Sequence, residues 1–283
     1  MSIETYSHVI SSRAGTVASR RRAVEQVIRV MHERLDAMLS LEDMADIAHC
    51  SPFHFNRIFR QVAGIPPSQF LYALRLQKAK QLLLTTDLNV TDVCFEVGYN
   101  SLGSFTTRFT ELVGVTPTQL RRLADEETLY SISKALHQRA LLHPAPTTPP
   151  SLTGRITTPD ELEGPIFIGL FSKPIPQSQP AGGTLILTPG FFQIPYVPPG
   201  RYFVMATGLA WPDHPAGFLL PDESLLRVGM KRHPVLLRDG LYTDPVSVTL
   251  RPLSLTDPPI LIALPVLIAR YLSTIEPERV GVF

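Results

Sequence analysis

Apolar positions recur every three or four residues between positions 20 and 125, and every second residue in stretches beyond position 154. The first spacing predicts amphipathic helices and the second predicts half-buried strands. Val24, Val27, Ile28, Met31, Leu35 and Met38 predict one long helix whose apolar face packs on a core. Ser40 followed by Asp43 predicts a capped short helix over residues 41–48, Ser51 a second helix ending near Gly64, and Pro67 a longer one to about Thr85. From Thr91 the same succession begins again. Further on, residues 246–251 alternate strictly, and residues 166–171, 184–188 and 202–207 are β-rich and bounded by Pro or Gly. Such strands predict a sandwich or barrel, not a parallel α/β sheet.

Proline marks the boundary. Of 27 prolines, residues 20–125 hold only Pro52, Pro66, Pro67 and Pro117, so this part can be helical where the later part mostly cannot. Residues 143–151 form a stiff, Pro-rich polar stretch, and Leu129, Ile132 and Leu136 before it suggest a short amphipathic helix. The expected organisation of the 283 residues is therefore a flexible arm over 1–19, a helical domain over 20–125, a helix and linker over 126–153, and an all-β, sandwich-like domain over 154–283. The apolar run 260–268 is about half of a membrane span and is broken by Pro265, which points to core or an interaction surface. The first twenty residues contain no apolar stretch of a secretory signal, and two cysteines suggest no disulfide framework; both fit a cytoplasmic protein.

The helical part repeats itself. Laying residues 51–64 over 101–114 pairs Ser51 with Ser101, Phe55 with Phe105, Phe59 with Phe109 and Gly64 with Gly114, and Pro67 then falls on Pro117. Upstream, Asp43-Met-Ala aligns with Asp92-Val-Cys after a shift of one residue, because the turn through Gly98 and Asn100 is one residue longer. This is a duplicated helix-turn-helix. In the first copy Phe55, Ile58, Phe59 and Val62 share one face of the second helix, and at roughly 100° per residue Phe53, Asn56, Arg57 and Arg60 share the other. Asparagine can pair with adenine and arginine with guanine in the major groove, while Arg60 can meet a phosphate. In the second copy the outward face is Gly103, Thr106, Thr107 and Thr110, with Arg108 at its edge. Threonine can touch a thymine methyl or a phosphate but cannot make a bidentate guanine contact, so the second motif is expected to position more than it reads.

Residues 20–123 resemble the AraC/XylS family of transcription regulators, most specifically in 75–86, 90–99 and 101–117. The resemblance implies a seven-helix domain whose two recognition helices enter successive major grooves on one face of DNA. Basic residues are usual in that family where Thr107 and Thr110 stand here. The expected DNA-contacting set is Ser51, Phe53, His54, Asn56, Arg57, Arg60, Ser101, Gly103, Thr106, Thr107, Arg108 and Thr110. Separately, residues 191–206, with their Pro-Pro-Gly-x-Tyr turn, resemble the carboxypeptidase regulatory-like, transthyretin-type β-sandwich. Modules of that kind bind or brace, which leaves the β part as a candidate sensor or dimerisation module.

Charge alone does not point to DNA, because the net charge is +1. The chain carries no zinc-protease, nucleophile-elbow or phosphate-loop motif, so catalysis is not expected, and a DNA-alkyl repair enzyme would need additional reactive cysteines. Cys50 and His54 have ligand-like spacing, but two ligands do not complete a zinc site. Cys94 falls where the first motif has Ala45, a place for a small buried thiol, and no metal or cofactor is expected. Expected partners are double-stranded DNA, RNA polymerase and, through the C-terminal part, a small-molecule effector or a second copy of the chain, with no membrane. The alternative is a DNA-tethered scaffold whose β domain binds a protein and senses no small molecule.

Overall fold

A computed structural model describes residues 3–124, 130, 131, 134, 151–195, 197–238, 245–264 and 267, with side chains from Val17 onward except at 215 and 216. Among these residues seven helices come first: α1 (Ile3–Glu33), α2 (Leu41–Ile47), α3 (Pro52–Ala63), α4 (Pro67–Thr85), α5 (Val90–Glu96), α6 (Leu102–Val113) and α7 (Pro117–Leu123). Strands follow: β1 (Ser151–Thr157), β2 (Ile166–Phe171), β3 (Gly183–Ile186), β4 (Phe191–Pro195), β5 (Gly200–Leu209), β6 (Leu226–Met230), β7 (Val235–Leu237), β8 (Val246–Thr249) and β9 (Arg251–Pro252). None of the described helices is long and apolar enough to cross a membrane.

The repeat seen in sequence is also a repeat of caps. The Ser40 side chain accepts from Asp43 N at the start of α2, and Asn89 accepts from Asp92 N at the start of α5. Ser51 and Ser101 cap α3 and α6, which both end in a left-handed glycine, Gly64 and Gly114, and Pro67 and Pro117 both open the next helix. Inside, Phe55 and Phe59 meet edge to face, their centroids 5.5 Å apart, and Phe59 meets Phe70 at the same distance. Tyr99, Phe105 and Phe109 form the matching aromatic stack in the second motif, at 5.3 and 5.5 Å.

Several boundaries differ from expectation. The stretch 1–19, expected as a loose arm, is helical from Ile3 onward and continuous with α1. At its other end α1 stops at Glu33, so that Leu35 is only partly buried and Met38 is 87% exposed. The cause lies in α4: the Arg75 guanidinium takes the carbonyls of Leu35 and Ala37, which a continuing helix would need for itself. The first strand begins at Ser151, before the expected start at 154, because Leu152 faces the core and pairs with Ile194 across β4. The helix expected around 129–136 and the Pro-rich stretch 143–150 fall on or among residues outside those described.

β1 lies between β4, antiparallel, and β8, parallel, in a three-stranded sheet, so one parallel pair stands within the β part. The larger sheet runs β3-β2-β5-β6-β9, and β7 pairs with the first residues of β5. Leu152 and Val246 from the small sheet and Ile168 and Val204 from the large one belong to a single buried cluster. Residues 198–200 carry the chain from β4 in one sheet to β5 in the other.

The two parts are also joined to each other. Ile175, Leu219, Leu261 and Ala263 complete the core of the helices. Ser178 N donates to Leu112 O at 2.8 Å and Ala263 N to Val113 O at 3.2 Å, and within the C-terminal part Leu261 N donates to Pro176 O at 3.1 Å. Arg21 Nη2 reaches Ser254 Oγ at 3.1 Å and Gln77 Nε2 reaches Glu223 Oε1 at 2.6 Å. The apolar run from residue 260 is therefore core, with Leu261, Ile262, Ala263 and Leu264 buried. Covered on this side as well, α4 buries residues on more than one face, and even Arg75 and Lys80 are each only 7% exposed.

Candidate nucleic-acid interface

Each outward helix is held at its N-terminal end by a turn that needs a left-handed residue. In the first motif it is His49, at φ 51; in the second it is Gly98, at φ 78. Gly98 also lies against the chain after α1: a Cβ there would stand 2.9 Å from the Cα and the carbonyl oxygen of Asp36 and from Leu35 O. Arg75 Nη1 donates to Gly98 O at 3.1 Å, while Nε and Nη2 hold Leu35 O and Ala37 O at 2.7 and 2.8 Å. One guanidinium on α4 thus fastens the second turn to the end of α1, and α5 and α6 follow from that turn.

On α3 the outward residues Phe53, Arg57 and Arg60 are exposed, Phe53 by 84%. Arg57 Nη2 donates to His54 Nδ1 at 3.1 Å, which places the proton of the neutral imidazole on Nε2. Asn56 stands apart from this group: its residue is half-buried, and Oδ1 is buried without a hydrogen-bond partner. Its carbonyl oxygen therefore faces the protein, not the open side with Arg57. The Ser51 hydroxyl accepts from His54 N at 3.4 Å, a capping role that leaves the residue at the surface.

On α6, Gly103 and Thr107 are exposed, and nothing lies within 4 Å of where a Cβ on Gly103 would be. Ser101 caps the helix by accepting from Ser104 N. Thr106 is half-buried, and Thr110 donates its hydroxyl to Thr106 O at 2.7 Å, so this hydroxyl lies along the helix and not outward. Arg108 is folded over the ring of Tyr72 on α4, 4.6 Å from its centroid. Burial raises the Tyr99 phenol above its usual range, and the neighbouring cations Arg108 and Arg75 offset this in part.

The sequence pattern did not single out Tyr72, Arg75 or Lys80. The three cations of α4, Arg75, Lys78 and Lys80, stand among polar and apolar neighbours alike, and nothing in their spacing marks Arg75 and Lys80 as the buried ones. Cys94 is fully buried where Ala45 is fully buried in the first motif, and Cys50 is half-buried; burial raises both thiols, which keeps them protonated.

Two capped short helices, each turned into an exposed 12-residue helix and joined through α4, define a double helix-turn-helix protein. Residues 44–123 match the family described as helix-turn-helix domain. The chain is 30% identical over 102 residues to the HTH-type transcriptional activator AarP of Providencia stuartii, covering 36% of this chain and 75% of that protein. It is 30% identical over 111 residues to the bifunctional transcriptional activator/DNA repair enzyme AdaA of Bacillus subtilis, covering 39% of this chain and about half of that relative, 53%. Among solved structures it is similar to the DNA-binding domain of AdpA in complex with a target DNA, at 29% identity and a TM-score of 0.34, over 35% of this chain and 89% of that one. The chain belongs to the AraC-type helix-turn-helix transcription regulators.

Proposed function

We propose that this chain is a sequence-specific transcription regulator that inserts α3 and α6 into successive major grooves on one face of duplex DNA, about 34 Å apart. The observation that carries the reading is the placement of these two equivalent helices. The C-terminal end of α6 is docked on the rest of the protein through Leu112 O and Val113 O, while Ser51, Phe53, Arg57, Ser101, Gly103 and Thr107 near the N-terminal ends of the two helices are exposed. Arg57 supplies the guanine contact and Arg60 a phosphate contact, and Asn56 pairs with adenine only once its inward-turned oxygen comes to the open side. Ser51 and Ser101, beside the free amides of helix N-termini, suit phosphate. Thr107 offers a methyl and a hydroxyl to the second groove, and α6 positions more than it reads.

Location in the cytoplasm and contact with RNA polymerase belong to the same proposal, whereas the repair activity named for AdaA does not. A transthyretin-type sandwich is our reading of the β part, supported by the two sheets that share one apolar cluster and by the Pro-Pro-Gly link between them.

Selection of duplexes from a random pool by the full chain at moderate salt tests the regulator reading. A defined motif with two half-sites is expected, with affinity falling steeply as salt rises because bound phosphates release counterions. A folded chain that enriches no sequence overturns it.

A further inference from the structure

We propose that the cleft between α4 and the C-terminal segments binds a small organic carboxylate with an apolar body, whose anion pairs with Lys80. The cleft measures about 780 Å³, a size that suits a small organic molecule, and Phe70, Leu74, Phe218 and Ile262 supply apolar lining from both parts of the chain. Lys80 is the buried cation of this space. Its ammonium has three protons to donate, and among the described residues it has a single acceptor, Ile260 O at 3.1 Å. The two acids that line the same cleft are engaged elsewhere: Glu223 accepts from Gln77, and Asp257 is held by both arms of Arg251 and by Ser254 N. His32 and Lys78 also line it and add no anion. Burial depresses the Lys80 amine to about 8, which leaves it mostly protonated at neutral pH. A buried ammonium with unmet donors beside an apolar cleft matches a carboxylate on a hydrocarbon or aromatic frame.

The site lies one step from the recognition helices. Ile260, which accepts from Lys80, is followed by Ala263, whose N–H holds Val113 O at the C-terminal end of α6. A carboxylate that draws the ammonium away from Ile260 acts on the segment that anchors α6.

Calorimetric titration of the full chain with octanoate and 2-naphthoate, and with octan-1-ol as the neutral analogue, tests the site. Both acids are expected to bind the wild-type chain about tenfold or more tightly than the alcohol, the difference expected of one charge pair. Lys80→Met should bring the acids down to the level of the alcohol. Gln77→Trp, which obstructs the cleft while leaving Lys80 in place, should weaken all three. Acids that bind Lys80→Met as tightly as wild type, an alcohol that matches the acids on wild type, or no binding of either acid at millimolar concentration overturns the proposal. Saturating octanoate should change wild-type affinity for the selected duplex and leave that of Lys80→Met unchanged; an unaltered wild-type affinity overturns the coupling. Because acid binding is measured without DNA, its failure is distinguishable from failure of the regulator reading.

Discussion

Replacing Gly98 by alanine would place a methyl carbon 2.9 Å from the Cα and oxygen of Asp36 and from Leu35 O, all of them backbone atoms that cannot rotate away. Gly64 is its natural control, because it has nearly the same left-handed backbone, φ 79 against φ 78, and nothing within 4 Å of its Cβ position. Alanine in the left-handed region costs roughly 1–2 kcal/mol, and this is the whole expectation for Gly64→Ala. Gly98→Ala carries that cost and an overpacking cost of about 1–3 kcal/mol, since the chain at Leu35 and Asp36 must move. Moving it also disturbs the Arg75 hydrogen bonds to Leu35 O, Ala37 O and Gly98 O. Gly98→Ala should therefore destabilise by at least about 1 kcal/mol more than Gly64→Ala. Urea denaturation of the full chain, followed by circular dichroism in the helical region, gives both numbers. Duplex binding below the transition should weaken for Gly98→Ala, because the turn that aims α6 has shifted. Equal losses of stability for the two variants, or a larger loss at Gly64, would refute the close-approach argument.

Arg57→Ala should relax preference at one base pair and weaken binding by about 1–3 kcal/mol, while Thr107→Ala costs less; repeating the duplex selection on both variants, with melting temperatures checked, separates the two. Arg75→Lys should lower stability by about 2–4 kcal/mol in urea denaturation, since a point charge cannot reach three separate carbonyls and leaves buried acceptors unmet. Lys80 has a folded-state pKa depressed from 10.5 to about 8, so the unfolded chain binds more protons between these values and this group's contribution to stability rises with pH through that window. Lys80→Met removes that rise: relative to wild type it should gain up to about 3 kcal/mol at pH 7, less the lost Ile260 hydrogen bond, and the advantage should shrink toward pH 10. Denaturation of both proteins across the pH range checks it, and a gap that does not narrow contradicts the assignment.

The duplicated motif was legible because its determinants are local. Ser40 with Asp43, Ser51 with the amide three residues on, Gly64 at a helix end and Pro67 at the next helix start each act within four or five residues. The same proximity made α4 and the strand over 166–171 readable to their ends, since the stop signals lie beside them. The outward faces of α3 and α6 followed from helical periodicity, but which side chains on those faces are available did not. Periodicity places Asn56 beside Arg57; it does not register that the Asn56 oxygen is turned inward, that the Thr110 hydroxyl bonds back to Thr106, or that Arg108 lies on Tyr72.

By itself, then, the sequence determined that a helical part is followed by a β part, where α4 and the strand over 166–171 begin and end, and that one helical unit occurs twice, because capping, periodicity and backbone conformation are interactions between near neighbours. Tertiary structure decided where α1 ends, the parallel pairing of β1 with β8, the burial of α4 on both sides and the anchoring of α6 by Ser178 and Ala263. These depend on partners far away in the chain, and several are backbone carbonyls: those of Leu35, Ala37 and Gly98 for Arg75, and that of Ile260 for Lys80. Every residue has a carbonyl, so no residue type marks the ones that a buried cation will reach. Only the packed chain brings that acceptor and that donor to within three ångströms or so of each other.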